Sequence, residues 1–381
     1  MMRMRTALRR VDRLCVALLL GVVYLVVASH VSAGATVASD SAVRQASGRV
    51  DQLTQGKWSQ VHSIDVSGNG RFVTYYEDDH QTVQFRDRNK RKPVKLASGL
   101  HVRPEPPMVS GNGRYVIYVG MRRASSPPIG SEHARWRAKV PLVRWDRVTN
   151  TRREIANYAG YGFGRGYDIS DDGNTIAVLT TMRDSGGQPR IALWDADSDS
   201  LTTIAKLDYS APDDGVGVAI SGDGTKVAYF AEADYDCSTF LWDRSTSESV
   251  TIAPKSKCLG NITSTPAPTI TRTGDLVTWP GTRREPRHHS LVDATFLWSA
   301  ETNTSRRVKD LGAVTNDGSA IVFTNSGRIG RQVLSTGKVI VSPKIRAPFD
   351  AVAPSNDGKV VAFRPMAATN AFWNAAVWIG P

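Results

Sequence analysis

The tetrad Ser221-Gly222-Asp223-Gly224 and its near copies decide the fold of this 381-residue chain. A run of apolar, β-branched and aromatic residues follows it at 226–230, and similar runs follow the other copies. Glycine adopts a positive φ that other residues resist, and an Asp or Asn side chain accepts backbone N–H bonds. Each tetrad therefore predicts a tight hairpin turn between two strands. The other copies begin at positions 67, 110, 170, 315 and 355, with a weaker one at 271.

A tryptophan followed by a polar residue forms a second repeated signature. It occurs as Leu-Trp-Asp at 193–195 and 241–243, as Leu-Trp-Ser at 297–299, and as Trp-Asp at 145–146. A polar turn and a short apolar segment come next, which gives four short strands in each repeated unit. Recurrence at one position predicts tryptophans that pack between neighbouring sheets and aspartates that start the next turn, rather than a ligand-facing pair.

The spacing of the repeats predicts the architecture. The last glycines of the seven tetrads lie 40 to 60 residues apart. Four-stranded antiparallel units at this spacing predict an all-β, seven-bladed β-propeller; six blades is the alternative, because the fifth and sixth units are the most degenerate. The last unit ends at Pro381, before its fourth strand. The segment 48–53 has the character of that strand, so we expect an N-terminal strand to close the ring.

The order of tetrad, apolar run and Trp-Asp resembles the TolB-type, WD-like propeller repeat family over roughly residues 48–381. The resemblance implies a binding scaffold in an exported setting. TolB itself carries a separate α/β domain before its propeller, and the segment 34–47 is too short to hold one. The resemblance therefore implies no role in a Tol system.

Residues 1–33 predict a signal peptide. Five arginines precede an apolar run at 14–28, and Val31-Ser32-Ala33 supplies the small residues of a cleavage site. The alternative is a retained membrane anchor. Residues 34–47 are then a linker and 48–381 the propeller. The protein is expected to be secreted or associated with the cell envelope.

Charge and cysteine content narrow the possible partners. The formal net charge of +12 favours an anionic protein or polymer, and export argues against nucleic acid. Cys237 and Cys258 remain after cleavage of the signal peptide, and an oxidising compartment favours a disulfide between them. Two unrelated buried thiols are the alternative. Nothing in the sequence indicates an oligomer, so we expect a monomer.

Catalytic signatures are missing from the sequence. It has no Gly-x-Ser-x-Gly elbow, no His-Glu-x-x-His site and no Gly-rich phosphate loop, so we expect no cofactor. His288 and His289 are adjacent and would point to opposite sides of an extended segment, so no metal site is expected. Long basic insertions on the face opposite the tetrad turns are the expected partner-binding site. Their residues are Arg122, Arg123, Arg135, Trp136, Arg137, Arg283, Arg284, Arg287, His288 and His289.

Two functions are compatible with these patterns. The first is a non-enzymatic exported scaffold that binds an anionic protein or glycan through the basic insertions. The alternative is an enzyme, a lyase or hydrolase of an extracellular polymer, with its site at the mouth of the central channel. The candidate residues of that enzyme are Asp78, Asp79, Asp234, Asp236 and His289.

Overall fold

The computed structural model contains one compact unit over Arg44–Pro381, built only from strands and turns in the part that it describes. No helix in the described segments is long and apolar enough to cross a membrane. The described residues are 45–46, 48–54, 61–78, 80–90, 92–98, 106–120, 140–158, 166–181, 189–207, 216–233, 236–257, 267–284, 291–308, 312–345, 349–365 and 375–381.

Seven four-stranded antiparallel blades form the propeller, as the sequence predicts. Blades 1 and 2 are β3 (Val61–Val66), β4 (Phe72–Glu77), β5 (Thr82–Asp87), β6 (Val94–Ala97), then β7 (Met108–Val109), β8 (Tyr115–Val119), β9 (Val140–Asp146), β10 (Thr151–Tyr158). Blades 3 and 4 are β11 (Tyr167–Ile169), β12 (Thr175–Thr181), β13 (Pro189–Asp195), β14 (Ser200–Lys206), then β15 (Val216–Ile220), β16 (Lys226–Ala233), β17 (Asp236–Asp243), β18 (Glu248–Lys257).

The second half of the ring repeats this order. Blades 5 and 6 are β19 (Thr269–Ile270), β20 (Leu276–Arg284), β21 (Leu291–Ser299), β22 (Thr304–Val308), then β23 (Gly312–Val314), β24 (Ala320–Asn325), β25 (Arg328–Val333), β26 (Val339–Val341). Blade 7 is β27 (Phe349–Pro354), β28 (Val360–Pro365), β29 (Ala376–Ile379) and β2 (Arg49–Gln52).

Both ends of the propeller chain build blade 7. Strand β2 pairs antiparallel with β29, with Val50 opposite Trp378. This pairing confirms the predicted closure by an N-terminal strand, and the count of blades excludes the six-bladed alternative. The sequence did not predict β1 (Gln45–Ala46), which pairs in parallel with β26 as a fifth strand of blade 6. It lies within 34–47, and two residues are too few to show a strand pattern.

Each tetrad forms the turn between the first two strands of its blade. In blade 1, Gly70 has a φ of +71° and donates its N–H to the Ser67 carbonyl at 2.8 Å. The Ser67 hydroxyl donates to Asn69 Oδ1 and accepts the N–H of Phe72 at 3.0 Å. Serine, Asx residue and glycine therefore have distinct roles. The bond from the hydroxyl of the first residue to the Asx side chain of the third recurs in the tetrads that begin at 110, 170, 221, 315 and 355.

The tryptophan signature has the predicted packing role. Trp194 and Trp378 are buried, and the Trp145 indole N–H donates to Asn150 Oδ1 at 3.0 Å. Asn150 has a φ of 57° in the turn between the last two strands of blade 2. Asp146 accepts the N–H of Val148 at 2.8 Å and so begins that turn. The indole thus joins the packing between blades to the turn.

We predict that Gly173→Ala lowers the free energy of unfolding by about 2–4 kcal/mol, because a new Cβ adds backbone strain and overpacks the blade interface. Gly173 has a φ of +77°, and its Cβ would lie 2.2 Å from the Tyr115 ring. Gly337→Ala is the matched control, since Gly337 has a φ of +68° and nothing within 4 Å of its Cβ position. It should cost only about 1–2 kcal/mol. Equal losses in urea titrations of the two variants would contradict this account.

Candidate functional site

A closed circle of backbone hydrogen bonds surrounds the propeller axis on the face of the tetrad turns. One bond joins each blade to the next, and the last returns to blade 1. The seven bonds are Gly68 N to Gly111 O, Asn112 N to Asp171 O, Asp171 N to Gly222 O, Asp223 N to Arg272 O, Arg272 N to Asn316 O, Asp317 N to Asn356 O and Asn356 N to Gly68 O, at 2.6–3.0 Å. We call this face the turn face and the opposite one the loop face.

The second residues of the seven tetrads converge on the axis, and there is room for only some of their side chains. A Cβ on Gly68 would lie 2.4 Å from the Asn356 side chain. A Cβ on Gly111 or Gly222 would lie 2.1 Å or 2.5 Å from the Asp171 carboxylate. Glycine therefore occupies three of the seven positions because polar side chains from other blades fill the axis.

Those side chains form the axial cluster, which we define as Asp171, Arg272, Asn316 and Asn356. Asn316 Nδ2 donates to Asp171 Oδ1 at 2.6 Å and to Asn356 Oδ1 at 3.2 Å. Asp171 belongs to blade 3 and Asn316 to blade 6, so their bond crosses the axis. Arg272 Nε lies 3.8 Å from Asp171 Oδ2. The side chains of the axial cluster therefore meet across the propeller axis at the turn face.

Burial sets the electrostatics of the axial cluster. Desolvation raises the pKa of Asp171, and the charges of Asp172 and Asp223 add to this effect. Arg272 and the hydrogen bond from Asn316 lower the same pKa but do not offset the burial. The Asp171 side chain is only 18% exposed, whereas that of Arg272 is 67% exposed and so a screened counter-ion. The folded protein thus holds a carboxylate at an unfavourable site.

A second set of polar side chains lies on the innermost strands that surround the channel. Asp65 Oδ2 in blade 1 accepts the N–H of Val109 in blade 2 at 2.8 Å. Asp168 Oδ2 in blade 3 accepts the N–H of Ile220 in blade 4 at 3.0 Å. In blade 5, the Thr269 hydroxyl oxygen accepts the equivalent bond from the Val314 N–H of blade 6 at 3.1 Å. Asp65 is buried and Asp168 partly buried, so both carboxylates are held rigidly on the inner strands.

The sequence analysis missed Asp65 and Asp168. Both stand two residues before the serine of their tetrad, where the other blades carry Met, Ala or Thr. The signal that could have found them is this departure from an otherwise apolar or small position. The tetrad turn does not require a carboxylate two residues before it, so the two aspartates are candidates for chemistry.

Most of the site residues predicted from sequence lie outside the described residues. These are Asp79, Arg122, Arg123, Arg135, Trp136, Arg137, Asp234, Arg287, His288, His289 and Cys258. Arg283 and Arg284 belong to β20, and Cys237 and Asp236 to β17, with only their backbone described. Asp78 lies at the turn after β4, on the loop face. The described strands β17 and β20 and the turn at Asp78 are separate from the axial cluster, and the disulfide and the basic binding surface stay predictions.

No group of three or more His, Cys, Asp or Glu side chains within the described segments is arranged to hold a metal ion. Among the described residues, Asp65, Asp168 and the axial cluster are therefore the polar groups considered as a candidate site.

Comparison with known proteins gives structural likenesses only. No family model and no curated sequence match the chain. Two solved oligogalacturonate lyases, one in complex with manganese and one from Vibrio parahaemolyticus, each show 12% identity and a TM-score of 0.60 over 89% of this chain and 96% of theirs. The propeller domain of the trilobed protease from Pyrococcus furiosus shows 11% identity and a TM-score of 0.59 over 86% of this chain and 95% of its own.

These likenesses show the propeller fold and correct the functional expectation. The lack of a catalytic signature in the sequence favoured a non-enzymatic scaffold, but proteins named as lyases have a similar fold over almost their whole length. The prediction of a non-enzymatic scaffold is therefore wrong, and the alternative of a polymer-cleaving enzyme fits better. The narrower assignment to the TolB-type repeat family finds no matching family model.

We predict that Asp171→Asn raises the Tm at neutral pH, because burial disfavours the ionised carboxylate that the variant removes. The pKa of Asp171 in the folded protein lies above the unfolded value of 3.8. The free energy of unfolding therefore falls as the pH rises from the unfolded to the folded pKa, and the loss persists at higher pH. The gain should disappear below the unfolded pKa. Thermal unfolding across the acidic range measures it.

Asp357→Asn is the control of opposite sign. Burial raises the pKa of Asp357, but hydrogen bonds from Lys359 and Ser355 outweigh it and leave that pKa lowered. Its ionised form therefore stabilises the fold, and this variant should not raise the Tm at neutral pH. A loss of stability in Asp171→Asn at neutral pH would show that the carboxylate is not penalised at the axis.

Proposed function

We propose that the protein is an enzyme that cleaves an acidic extracellular polymer, with its site in the central channel at the turn-face end of the inner strands, where Asp65 and Asp168 each lie two residues before their tetrad. The observation that carries the proposal is the pair of fixed carboxylates, Asp65 and Asp168, on the inner strands that surround the channel. Structural likeness to two oligogalacturonate lyases supports a lyase in particular.

The axial cluster lies beside this proposed site. Its side chains meet across the axis at the turn face, next to the tetrads that follow Asp65 and Asp168. Clefts with a few fixed polar groups are the usual setting of small-molecule and polymer-end chemistry. Asp65 and Asp168 are the carboxylates that the inner strands of blades 1 and 3 contribute to such a cleft.

The chemistry expected of these carboxylates is proton transfer. In a lyase, a carboxylate removes the proton on the carbon next to a substrate carboxyl group, and the glycosidic oxygen leaves from the next carbon as a double bond forms. The backbone N–H groups of Val109 and Ile220 keep Asp65 and Asp168 in place, which is the preorganisation that such a step requires.

A hydrolase is the second candidate, because that reaction also uses two carboxyl groups. One would protonate the leaving oxygen while the other acts as base or nucleophile. The products distinguish the two reactions, since only elimination creates a carbon–carbon double bond.

Charge and targeting support an acidic polymer outside the cell. The formal net charge of +12 attracts polyanions, and the arginine-rich segment followed by an apolar run at 14–28 is the reason for proposing export. We further propose that the repeats belong to the TolB-type family, on the strength of the tetrad and Trp-Asp order. A monomer suffices for this function.

The test incubates the purified protein with pectate, alginate and hyaluronan, and with neutral xylan as the polymer control. A lyase should increase both reducing ends and ultraviolet absorbance on an acidic polymer, and a hydrolase only the reducing ends. Asp65→Asn and Asp168→Asn should each lower kcat by about 100-fold or more, the usual contribution of a positioned acid or base.

Asparagine keeps an acceptor oxygen for the N–H of Val109 or Ile220, so both variants should keep the wild-type Tm. Asp223→Asn, an exposed change on the turn face, is the matched control and should retain full activity. No cleavage of any acidic polymer, or wild-type kcat in both channel variants, would overturn the proposal.

A further inference from the structure

Two positions on the turn face distinguish blades 1 and 2 from the other blades. In every blade, the residue after the tetrad accepts, at its carbonyl, the backbone N–H of the residue that follows the third strand. Blades 1 and 2 carry arginine at both positions, as Arg71 with Arg88 and Arg114 with Arg147. Blades 3, 5 and 6 make the same bond with no cation at either position. The turns therefore do not require these arginines.

Three of the four arginines hold positive charge at the surface. Arg71 donates to both carboxylate oxygens of the aspartate that ends its third strand, at 3.0 and 2.8 Å, and Arg114 makes the same paired contact in blade 2. Arg88 is only 18% exposed and is paired with a carboxylate of β2. Arg147 donates to the carbonyl of the last tetrad glycine and forms no ion pair with another described residue. Arg147 therefore adds a charge that no described carboxylate pairs with.

An aromatic ring brings charges from two blades together. Arg71 Cζ lies 4.8 Å from the centre of the Phe72 ring, and Arg147 Cζ lies 4.6 Å from the same centre. The two positive charges are therefore no more than about 10 Å apart, roughly the Debye length at 0.1 M salt. Arg147 belongs to blade 2 and Phe72 to blade 1. The positive potential is thus strongest where these two blades meet.

Lys90 extends this charged surface. It is exposed in the turn between β5 and β6. The pKa of Asp87 is lowered chiefly by the hydrogen bond from Arg71, and the charge of Lys90 adds to this effect, so Lys90 lies near the same carboxylate. We define Arg71, Lys90, Arg114 and Arg147 as the basic arc.

We propose that the basic arc binds an acidic polysaccharide and holds it outside the channel. A guanidinium has five N–H donors, and Arg71 and Arg114 use Nε and NH2 for aspartate, which leaves the NH1 group of each for another acceptor. Their side chains are 46% and 43% exposed. Guanidinium groups match the geometry of carboxylates. Repetition of these charges from one blade to the next suits a chain with carboxylates on successive sugars.

The surface chemistry favours a carboxylated chain over a nucleic acid. Single-stranded nucleic acids gain affinity when their bases stack on exposed aromatic rings. The rings beside these arginines, Phe72 and Tyr115, are only 3% and 8% exposed, and each is covered by guanidinium groups. The basic arc therefore offers charge and hydrogen bonds but no stacking platform.

The choice of polymer rests on the proposed function, whereas binding to the basic arc does not require cleavage. Asp65 and Arg71 flank the same tetrad of blade 1, so a chain held on the basic arc would lie at the end of the propeller where the proposed site lies. Contacts away from the reacting bond stabilise substrate and transition state equally. Loss of the basic arc should therefore raise KM and leave kcat unchanged.

The experiment measures binding of full-length protein to pectate, alginate, hyaluronan and neutral xylan by titration calorimetry, in an Asp65→Asn background that keeps the polymer intact. Arg71→Gln combined with Arg147→Gln should raise the Kd for the bound acidic polymer about 10-fold or more, the effect of losing hydrogen bonds to charged groups. Lys90→Gln should raise it by about 2-fold to 5-fold and keep the parent Tm, because this exposed side chain packs against nothing described. It keeps the test valid if the double variant does not fold.

Arg244→Gln is the matched control. Arg244 occupies the position of Arg147 in blade 4 and is 45% exposed, but its blade carries threonine after the tetrad. This variant removes the same charge outside the basic arc and should keep the parent Kd. An unchanged Kd in the basic-arc variants, an equal loss in Arg244→Gln, or equal affinity for xylan would overturn the proposal.

Further outcomes separate this proposal from the proposed activity. Binding of an acidic polymer that wild-type protein never cleaves would remove the activity and support the basic arc. Cleavage with an unchanged KM in the Arg71→Gln and Arg147→Gln double variant would remove the basic arc alone. Tighter binding to single-stranded DNA or to phosphatidylglycerol vesicles than to every acidic polysaccharide would also overturn the proposal.

Discussion

The structure depends on the circle of backbone hydrogen bonds at the turn face. Each blade buries its hydrophobic surface against its neighbours, and the seven N–H to carbonyl bonds close the ring. Each bond joins the second or third residue of one tetrad to the next tetrad. In six of the seven tetrads a Ser or Thr hydroxyl, the Asx side chain at the third position and the last glycine hold the peptide groups in the orientation that this circle needs.

Convergence of seven equivalent turns on one axis breaks the symmetry of the repeat. Equivalent positions cannot all carry side chains, since a Cβ on Gly111 would lie 2.1 Å from the Asp171 carboxylate. The result is a polar closure built by blades 3, 6 and 7, with glycine in blades 1, 2 and 4. Polar side chains thus meet across the axis at the turn face, which makes the two ends of the channel different although the blades are repeats of one unit.

The inner strands show a second departure from symmetry. Blades 1, 3 and 5 each bond to the inner strand of the next blade through Asp65, Asp168 or Thr269, while blades 2, 4 and 6 carry Met or Ala there. Threonine makes the same contact without charge, so the contact alone does not account for the two aspartates. The two aspartates therefore place charge at a position where the contact between blades does not need it, which is the reason that the proposed activity is assigned to them.

The sequence by itself determined the blades, because Ser67-Gly68-Asn69-Gly70 and its copies act locally through positive φ and side-chain to backbone bonds. It also predicted closure by β2, since residues 48–53 have the character of a closing strand, and β2 does pair with β29. Only the tertiary structure decided which side chains meet at the axis. Asp171 and Asn316 are 145 residues apart in the chain, and no local pattern encodes a contact that exists only because the ring closes.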